Sequence, residues 1–291
     1  MQMPFDPKLR DRPKRRFGPI PVRLLVPNFI TLLAIGAGLT AIRLSTEGRM
    51  ELAVAAIVFA AVLDGIDGRV ARMIKGQSKF GAELDSLADF VNFGVAPGLI
   101  LYFWQLHDLH NVGWIAAMIF AISGGLRLAR FNSTIDDPKP AAAANFFTGV
   151  PAPAGAIAVM LPVYLEFLGA PRIPAVVTAL YTLVIAGLMV SRLPVFSGKA
   201  VRMRVPPELV LPVFVSVVFI IALLIGYPWH VLTIGTVLYL ATLPLGLKSY
   251  REKVKAEAAL MGAEPGAASG LSANVPPASG AAHDGRPTRL N

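Results

Sequence analysis

Apolar runs of roughly 20 residues recur along most of this chain, separated by short polar stretches. They predict helical spans at roughly 25–43, 50–73, 81–104, 112–130, 152–168, 173–191, 208–226 and 230–247. A bilayer core about 30 Å thick takes about 20 apolar residues of helix, and only helices and closed barrels satisfy their backbone there. The pattern therefore predicts an all-α, polytopic transmembrane bundle of about eight spans. Residues 1–23 are basic and contain proline, and read as a cytoplasmic extension. The apolar run after them is too long for a signal peptide and lacks a small-residue cleavage site, so the first span is expected to stay uncleaved. Residues 24–250 form the membrane domain and 251–291 a cytoplasmic tail. Its last part, 261–291, is rich in Ala, Gly, Pro and Ser and is expected to be disordered.

The basic residues orient the spans. Lys and Arg gather before the first span and after the second, fourth, sixth and eighth, while the other loops are poor in them. Basic loops stay on the cytoplasmic side, which puts both termini there. The net charge is +9, yet only 15% of residues are charged and 55% are hydrophobic. With the basic residues beside apolar segments, the charge points to anionic membrane lipids and not to nucleic acid. There is no cysteine, so no disulfide and no thiolate metal site.

One stretch breaks the apolar pattern: Asp64, Gly65, Ile66, Asp67, Gly68, Arg69, Val70, Ala71, Arg72, and then Gly81 to Asp89. On a helix Asp64, Asp67, Gly68, Ala71 and Arg72 share one face, and Asp85 and Asp89 lie one turn apart with Gly81 a turn earlier. Gly76 suits a helix stop and Ser78 an N-cap, so two antiparallel helices joined by a short turn would set four carboxylates face to face. Clustered carboxylates repel unless a cation lies among them, and all-oxygen ligation suits Mg²⁺, Mn²⁺ or Ca²⁺. Four of them could bridge two such ions, an arrangement suited to displacement at phosphorus. The small residues Gly68, Ala71 and Gly81 leave room for something bulky, and Arg72 is a fixed cation suited to phosphate oxygens.

Asp-x-x-Asp-Gly-x-x-Ala-Arg-x₈-Gly-x₃-Asp-x₃-Asp resembles the signature of the CDP-alcohol phosphatidyltransferases, and Asp64, Asp67, Gly68, Ala71, Arg72, Gly81, Asp85 and Asp89 match it without departure. The resemblance implies a six-helix family core, here with two further spans. It implies transfer of a phosphatidyl group from a CDP-linked lipid to an alcohol, with release of CMP. It implies Asp64, Asp67, Asp85 and Asp89 as ligands of two Mg²⁺ or Mn²⁺ ions, and Asp89 also as the catalytic base. Asn28, Thr31, Gly68, Ala71, Arg72, Ser78 and Gly81 would hold CDP-diacylglycerol, Asn28 and Thr31 lying in a Pro-Asn-x-x-Thr segment that the family carries at this place.

Further segments are similar to bacterial and archaeal phosphatidylserine synthases: Gly81–Pro97, Arg127–Asn132, Phe147–Pro151 and Met189–Lys199. L-serine is then the expected acceptor; choline, glycerol-3-phosphate and inositol phosphate are the alternatives. Serine carries a carboxylate, for which Arg127, Arg130 and Lys199 are the candidates, although arginines there could equally bind lipid phosphate. The resemblance also implies a homodimer in the cytoplasmic (inner) membrane with the site facing the cytoplasm. Glycine and proline at 147–153 suggest a re-entrant or broken start to the fifth span. The rival class is a transporter, whose carboxylates would lie near the bilayer midplane in paired broken helices and not at one edge.

Overall fold

A computed structural model describes residues 22–74, 76, 78–134, 146–196 and 207–262. It is an all-α polytopic membrane protein with one short β-ribbon. Among the described residues, five helices are long and apolar enough to cross a membrane: Leu25–Thr46, Lys79–Trp104, Asn111–Ser133, Leu209–Gly226 and Pro228–Gly246. The elements are α1 (Val22–Thr46), α2 (Met50–Met73), α3 (Lys79–Asp89), a π-helical turn (Phe90–Val95), α4 (Ala96–Trp104) and α5 (Asn111–Ser133). After β1 (Phe146–Thr148) come α6 (Ala152–Val159), α7 (Leu161–Phe167), α8 (Ala175–Val190), β2 (Pro194–Phe196), α9 (Pro207–Gly226) and α10 (Pro228–Gly262).

α1 and α2 form the most extensive helix pair. Gly48, in the left-handed region at φ +74°, turns the chain between them. Its N–H bonds to the Ser45 carbonyl at 3.2 Å and that of Arg49 to Leu44 at 2.9 Å, which satisfies two of the last carbonyls of α1. α1 also packs on α3 and α4, whereas α2 and α3 make only sparse backbone contact with each other. The two arms of the hairpin expected from the sequence therefore stand apart, with α1 packed on both.

Lys79 to Trp104 runs as one helical segment, and the π-turn lies just past Asp89. Pro97 has no N–H to offer the carbonyl four residues back, and the N–H of Ala96 reaches to Val91 five residues back. Beyond the turn, small residues let α4 and α5 come close. A Cβ at Gly98 would stand 2.9 Å from the carbonyl oxygen of Ala117, and one at Gly124 would stand 3.1 Å from the Cα of Gly94. Small residues that bring backbones together are the usual device of helix packing in lipid.

β1 and β2 pair antiparallel, Phe147 opposite Val195. Gly149, at φ +77°, comes just after β1 with its N–H on the Leu193 carbonyl at 2.8 Å. The sequence at 147–153 thus forms a strand and a left-handed turn where a re-entrant start was expected. The break in this span comes later, at Met160, where α6 gives way to α7. α10 continues to Gly262, so the segment after 250 begins as helix. The basic extension, Lys199 and most of the expected tail lie outside the described residues.

Gly98→Ala places its Cβ against a backbone oxygen that cannot rotate away. The expected outcome is a loss of about 1–3 kcal/mol, seen as a lower Tm in detergent, with the fold retained.

Candidate active site

The splayed arms of α2 and α3 meet their carboxylates across the gap. Asp64 and Asp67 come from α2 and Asp85 from α3, and one oxygen of each lies within 4.8 Å of the others. Asp67 is 3% exposed and is held by α1: the Thr31 hydroxyl lies 2.7 Å from Asp67 Oδ2 and 3.1 Å from the Pro27 carbonyl. One hydroxyl proton cannot serve both acceptors fully, so Asp67 keeps acceptor capacity for another partner. Oxygen donors at this spacing fit a hard divalent cation, which binds carboxylate oxygens at about 2.0–2.6 Å. Asp64, Asp67 and Asp85 could therefore hold a metal ion.

A cleft of about 460 Å³ opens beside this cluster. Pro27, Asn28 and Thr31 of α1 line one side. Asp67, Gly68, Ala71 and Arg72 of α2 line another, and the turn and α3 close it with Gly76, Ser78, Gly81, Ala82 and Asp85. Local sequence explains this wall. The N–H of Gly76 bonds back to the Ala71 carbonyl at 2.9 Å and closes α2. Ser78 caps α3 by accepting from the Gly81 N–H at 2.9 Å. A Cβ at Gly68 would meet nothing within 4 Å, whereas one at Gly81 would stand 2.8 Å from Asn28 Oδ1. Gly68 thus leaves open space in the cleft, and Gly81 makes room for Asn28.

Asp89 lies one turn beyond Asp85 and outside the three-carboxylate group. It neighbours Asp64, and its Oδ1 is buried with no hydrogen-bond partner among the described residues. Arg127 of α5 is a charge neighbour of Asp89. The register agrees: Asn132 Nδ2 donates to Ser86 Oγ at 2.9 Å, and further along the pair Gly124 meets Gly94. Asp89 and Arg127 fall between these two contacts, about half a turn apart in depth. The Arg127 guanidinium lies 5.8 Å from the centre of the Phe131 ring, and its Nε is buried without a partner among the described residues.

The other two expected acceptor residues stand differently. Arg130 donates from Nη1 to the Val190 carbonyl at 2.6 Å, so at least one arm of its guanidinium caps the C-terminus of α8. Lys199 is outside the described residues. The sequence reading missed Pro27, Gly76 and Ala82 in the cleft wall and the Ser86–Asn132 bond. Each adjoins or falls within a segment that carries the motif or the family likeness, but none carries a charge that would single it out.

Apolar helices arranged round an acidic cluster and a polar cleft make a multi-pass membrane protein with a built polar site. The family model for CDP-alcohol phosphatidyltransferase matches residues 24–248, and the chain belongs to this family. The chain is 38% identical over 231 residues to the CDP-diacylglycerol–serine O-phosphatidyltransferase of Mycobacterium leprae (strain TN), covering 78% of this chain and 76% of that one. It is 37% identical to that of Mycobacterium tuberculosis (strain ATCC 25618 / H37Rv), covering 78% and 79%. It is 34% identical to that of Helicobacter pylori (strain J99 / ATCC 700824), covering 69% and 84%.

Gly81→Ala tests the cleft wall. The new Cβ meets the tips of the Asn28 and Ser78 side chains, which can move, so the fold should hold with at most a small fall in Tm. Asn28 should leave its place, and CMP should bind about tenfold more weakly, read by isothermal titration. Unchanged CMP affinity would remove Asn28 from the nucleotide contacts.

Proposed function

We propose that this chain transfers the phosphatidyl group of CDP-diacylglycerol to the hydroxyl of L-serine, releasing phosphatidylserine and CMP. The observation that carries the reading is the group Asp64, Asp67 and Asp85 beside a nucleotide-sized cleft, in a chain of this family whose relatives bear that name. The enzyme would work in the cytoplasmic membrane as a homodimer, among anionic lipids. Its eight spans are the five long apolar helices, the charged α2, the broken pair α6–α7 and the shorter α8. Both termini and the mouth of the cleft face the cytoplasm, as the basic loops indicate. The basic extension 1–23 and the tail 251–291 flank a membrane domain at 24–250.

CDP-diacylglycerol enters from the leaflet with its diphosphate toward the cluster. Asn28, Thr31, Gly68, Ala71, Arg72, Ser78 and Gly81 hold the cytidine and phosphates. Two divalent ions, Mg²⁺ or Mn²⁺, held by the motif aspartates, would neutralise charge on the diphosphate and the departing CMP. The serine oxygen attacks the phosphorus that carries the diacylglycerol. Its proton passes to Asp89, and the bond from that phosphorus to the CMP oxygen breaks, CMP leaving with the electron pair. A carboxylate bound to metal is a weak base, so Asp89, which touches Asp64 at the edge of the group, would act as base with an oxygen free of the ions. Arg127 faces the serine carboxylate, and Arg130 and Lys199 are the further candidates for it.

The test is CMP release by the purified protein in detergent with CDP-diacylglycerol and Mn²⁺ or Mg²⁺. Release is expected with L-serine and not with choline, glycerol-3-phosphate or inositol phosphate. EDTA should abolish it and added Mn²⁺ or Mg²⁺ restore it. Another active acceptor would replace serine and keep the site; no release with any would overturn the reaction.

Asp89→Asn separates base from ligand. Turnover should fall at least about a hundredfold while CMP binding persists. Loss of CMP binding together with turnover would make Asp89 chiefly a metal ligand.

A further inference from the structure

α10 lies beyond the family's signature segments, yet its inner face is not a plain packing surface. Leu232, Thr236 and Tyr239 recur along that face, and Leu232 belongs to the buried core. Thr236 is 3% exposed, and its hydroxyl is buried without a hydrogen-bond partner among the described residues. The Tyr239 hydroxyl is buried and unpartnered in the same sense. Several other helical hydroxyls are settled locally: Thr40, Thr182 and Ser216 each donate to the carbonyl four residues back, whereas Thr233 of α10, like Thr236, has no partner among the described residues. Thr236 does not, although that bond is available to any helical threonine.

Across from this face stands Arg127, which has Tyr239 as well as Asp89 for electrostatic neighbours. Three helices thus turn unsatisfied polar atoms inward: Asp89 Oδ1 from α3, Arg127 Nε from α5, and the Thr236 and Tyr239 hydroxyls from α10. Unpaired polar atoms inside an apolar bundle are costly, and two of them, on Asp89 and Tyr239, neighbour the same arginine, which points to a polar ligand that completes them. A guanidinium and a phenol hydroxyl are both donors, and a carboxylate accepts from both. Threonine can donate or accept. None of the four groups lines the cleft between α1, α2 and α3.

We infer that the inner face of α10 forms part of the acceptor site, with the Tyr239 hydroxyl, assisted by Thr236, binding the carboxylate of the acceptor beside Arg127. The inference rests on serine as acceptor and on Arg127 as its carboxylate partner. It adds a second helix to the binding site and makes Tyr239 a determinant of selectivity for an acidic acceptor over a neutral one.

The experiment compares L-serine with L-serinamide, which keeps the hydroxyl and the amine and replaces the carboxylate with a neutral amide. CMP release is measured with the full chain in detergent, for wild type, Tyr239→Phe and Arg127→Gln. Wild type should prefer serine. Tyr239→Phe keeps the ring and should raise the serine KM about tenfold or more, with the CDP-diacylglycerol KM within about twofold and the preference over serinamide reduced. If Tyr239→Phe keeps that preference and the serine KM while Arg127→Gln loses them, Tyr239 only packs and the inference falls. If Tyr239→Phe loses the preference while Arg127→Gln keeps it, the α10 site stands and the Arg127 assignment falls. If neither changes it, both fall. Should Tyr239→Phe not fold, Thr236→Val is read in the same way, and an unchanged serine KM there overturns the inference.

Discussion

Three carboxylates whose oxygens meet within 4.8 Å set the terms for the rest of the bundle. Each ionised pair at that separation repels by about 3–4 kcal/mol at an effective dielectric of about 20. Left to themselves, the two arms that carry them would swing apart. α1 prevents this. It packs on both arms, and Thr31 fixes Asp67 through a direct hydrogen bond. α2 and α3 make few backbone contacts with each other, and the cleft lies between them and α1, beside the cation-ready cluster.

The other half of the bundle is organised by close approach. Gly94, Gly98 and Gly124 bring the α3–α4 segment and α5 together, and Ser86 and Asn132 tie the ends nearest the site. These contacts leave little freedom in the depth of Asp89 relative to Arg127. The π-turn after Asp89 belongs to the same device. By giving the helix an extra residue in one turn, it rotates the α4 residues relative to the motif aspartates, so Asp85 and Asp89 can face the cluster while Gly94 and Gly98 face α5. Arg130 and Gly149 then bind the ends of α5, β1 and α8 into one polar knot, through the Val190 and Leu193 carbonyls.

Much of this was legible in the sequence because it depends on periodicity. Offsets of three and four along 64–72 and 81–89 put the carboxylates on facing sides of two helices, and a helical hairpin was enough to bring Asp64, Asp67 and Asp85 together. Span limits were legible for the same reason; α2 ends at Met73, just before Gly76, whose N–H closes it on the Ala71 carbonyl. Contacts between distant segments were not legible. The π-turn needs Pro97 and the packing of α5 together. The pairing of Phe146–Thr148 with Pro194–Phe196 joins strands too short and too far apart in the chain to show a period. Arg130 looked like a ligand-binding cation because its partner, a carbonyl 60 residues away, has no side-chain signature. The polar atoms of α10 were hidden by composition, since a threonine and a tyrosine in an apolar helix are ordinary.

Displacement at phosphorus places the entering and leaving oxygens roughly in line, on opposite sides of the reacting atom. A site that does this with a large nucleotide and a small amino acid needs two separate approaches meeting at one point. The cleft between α1, α2 and the start of α3 offers the nucleotide its approach. On the proposed reading the second approach lies among α3, α5 and α10. α3 is common to both, and along it Asp85 lines the cleft while Asp89, one turn deeper, neighbours Arg127. The four-residue spacing of the last two motif carboxylates then has a mechanical meaning. One turn of helix, about 5.4 Å, separates a group that faces the leaving side from one that can take a proton on the entering side. A bundle with only the first approach could hold the nucleotide but could not choose its acceptor.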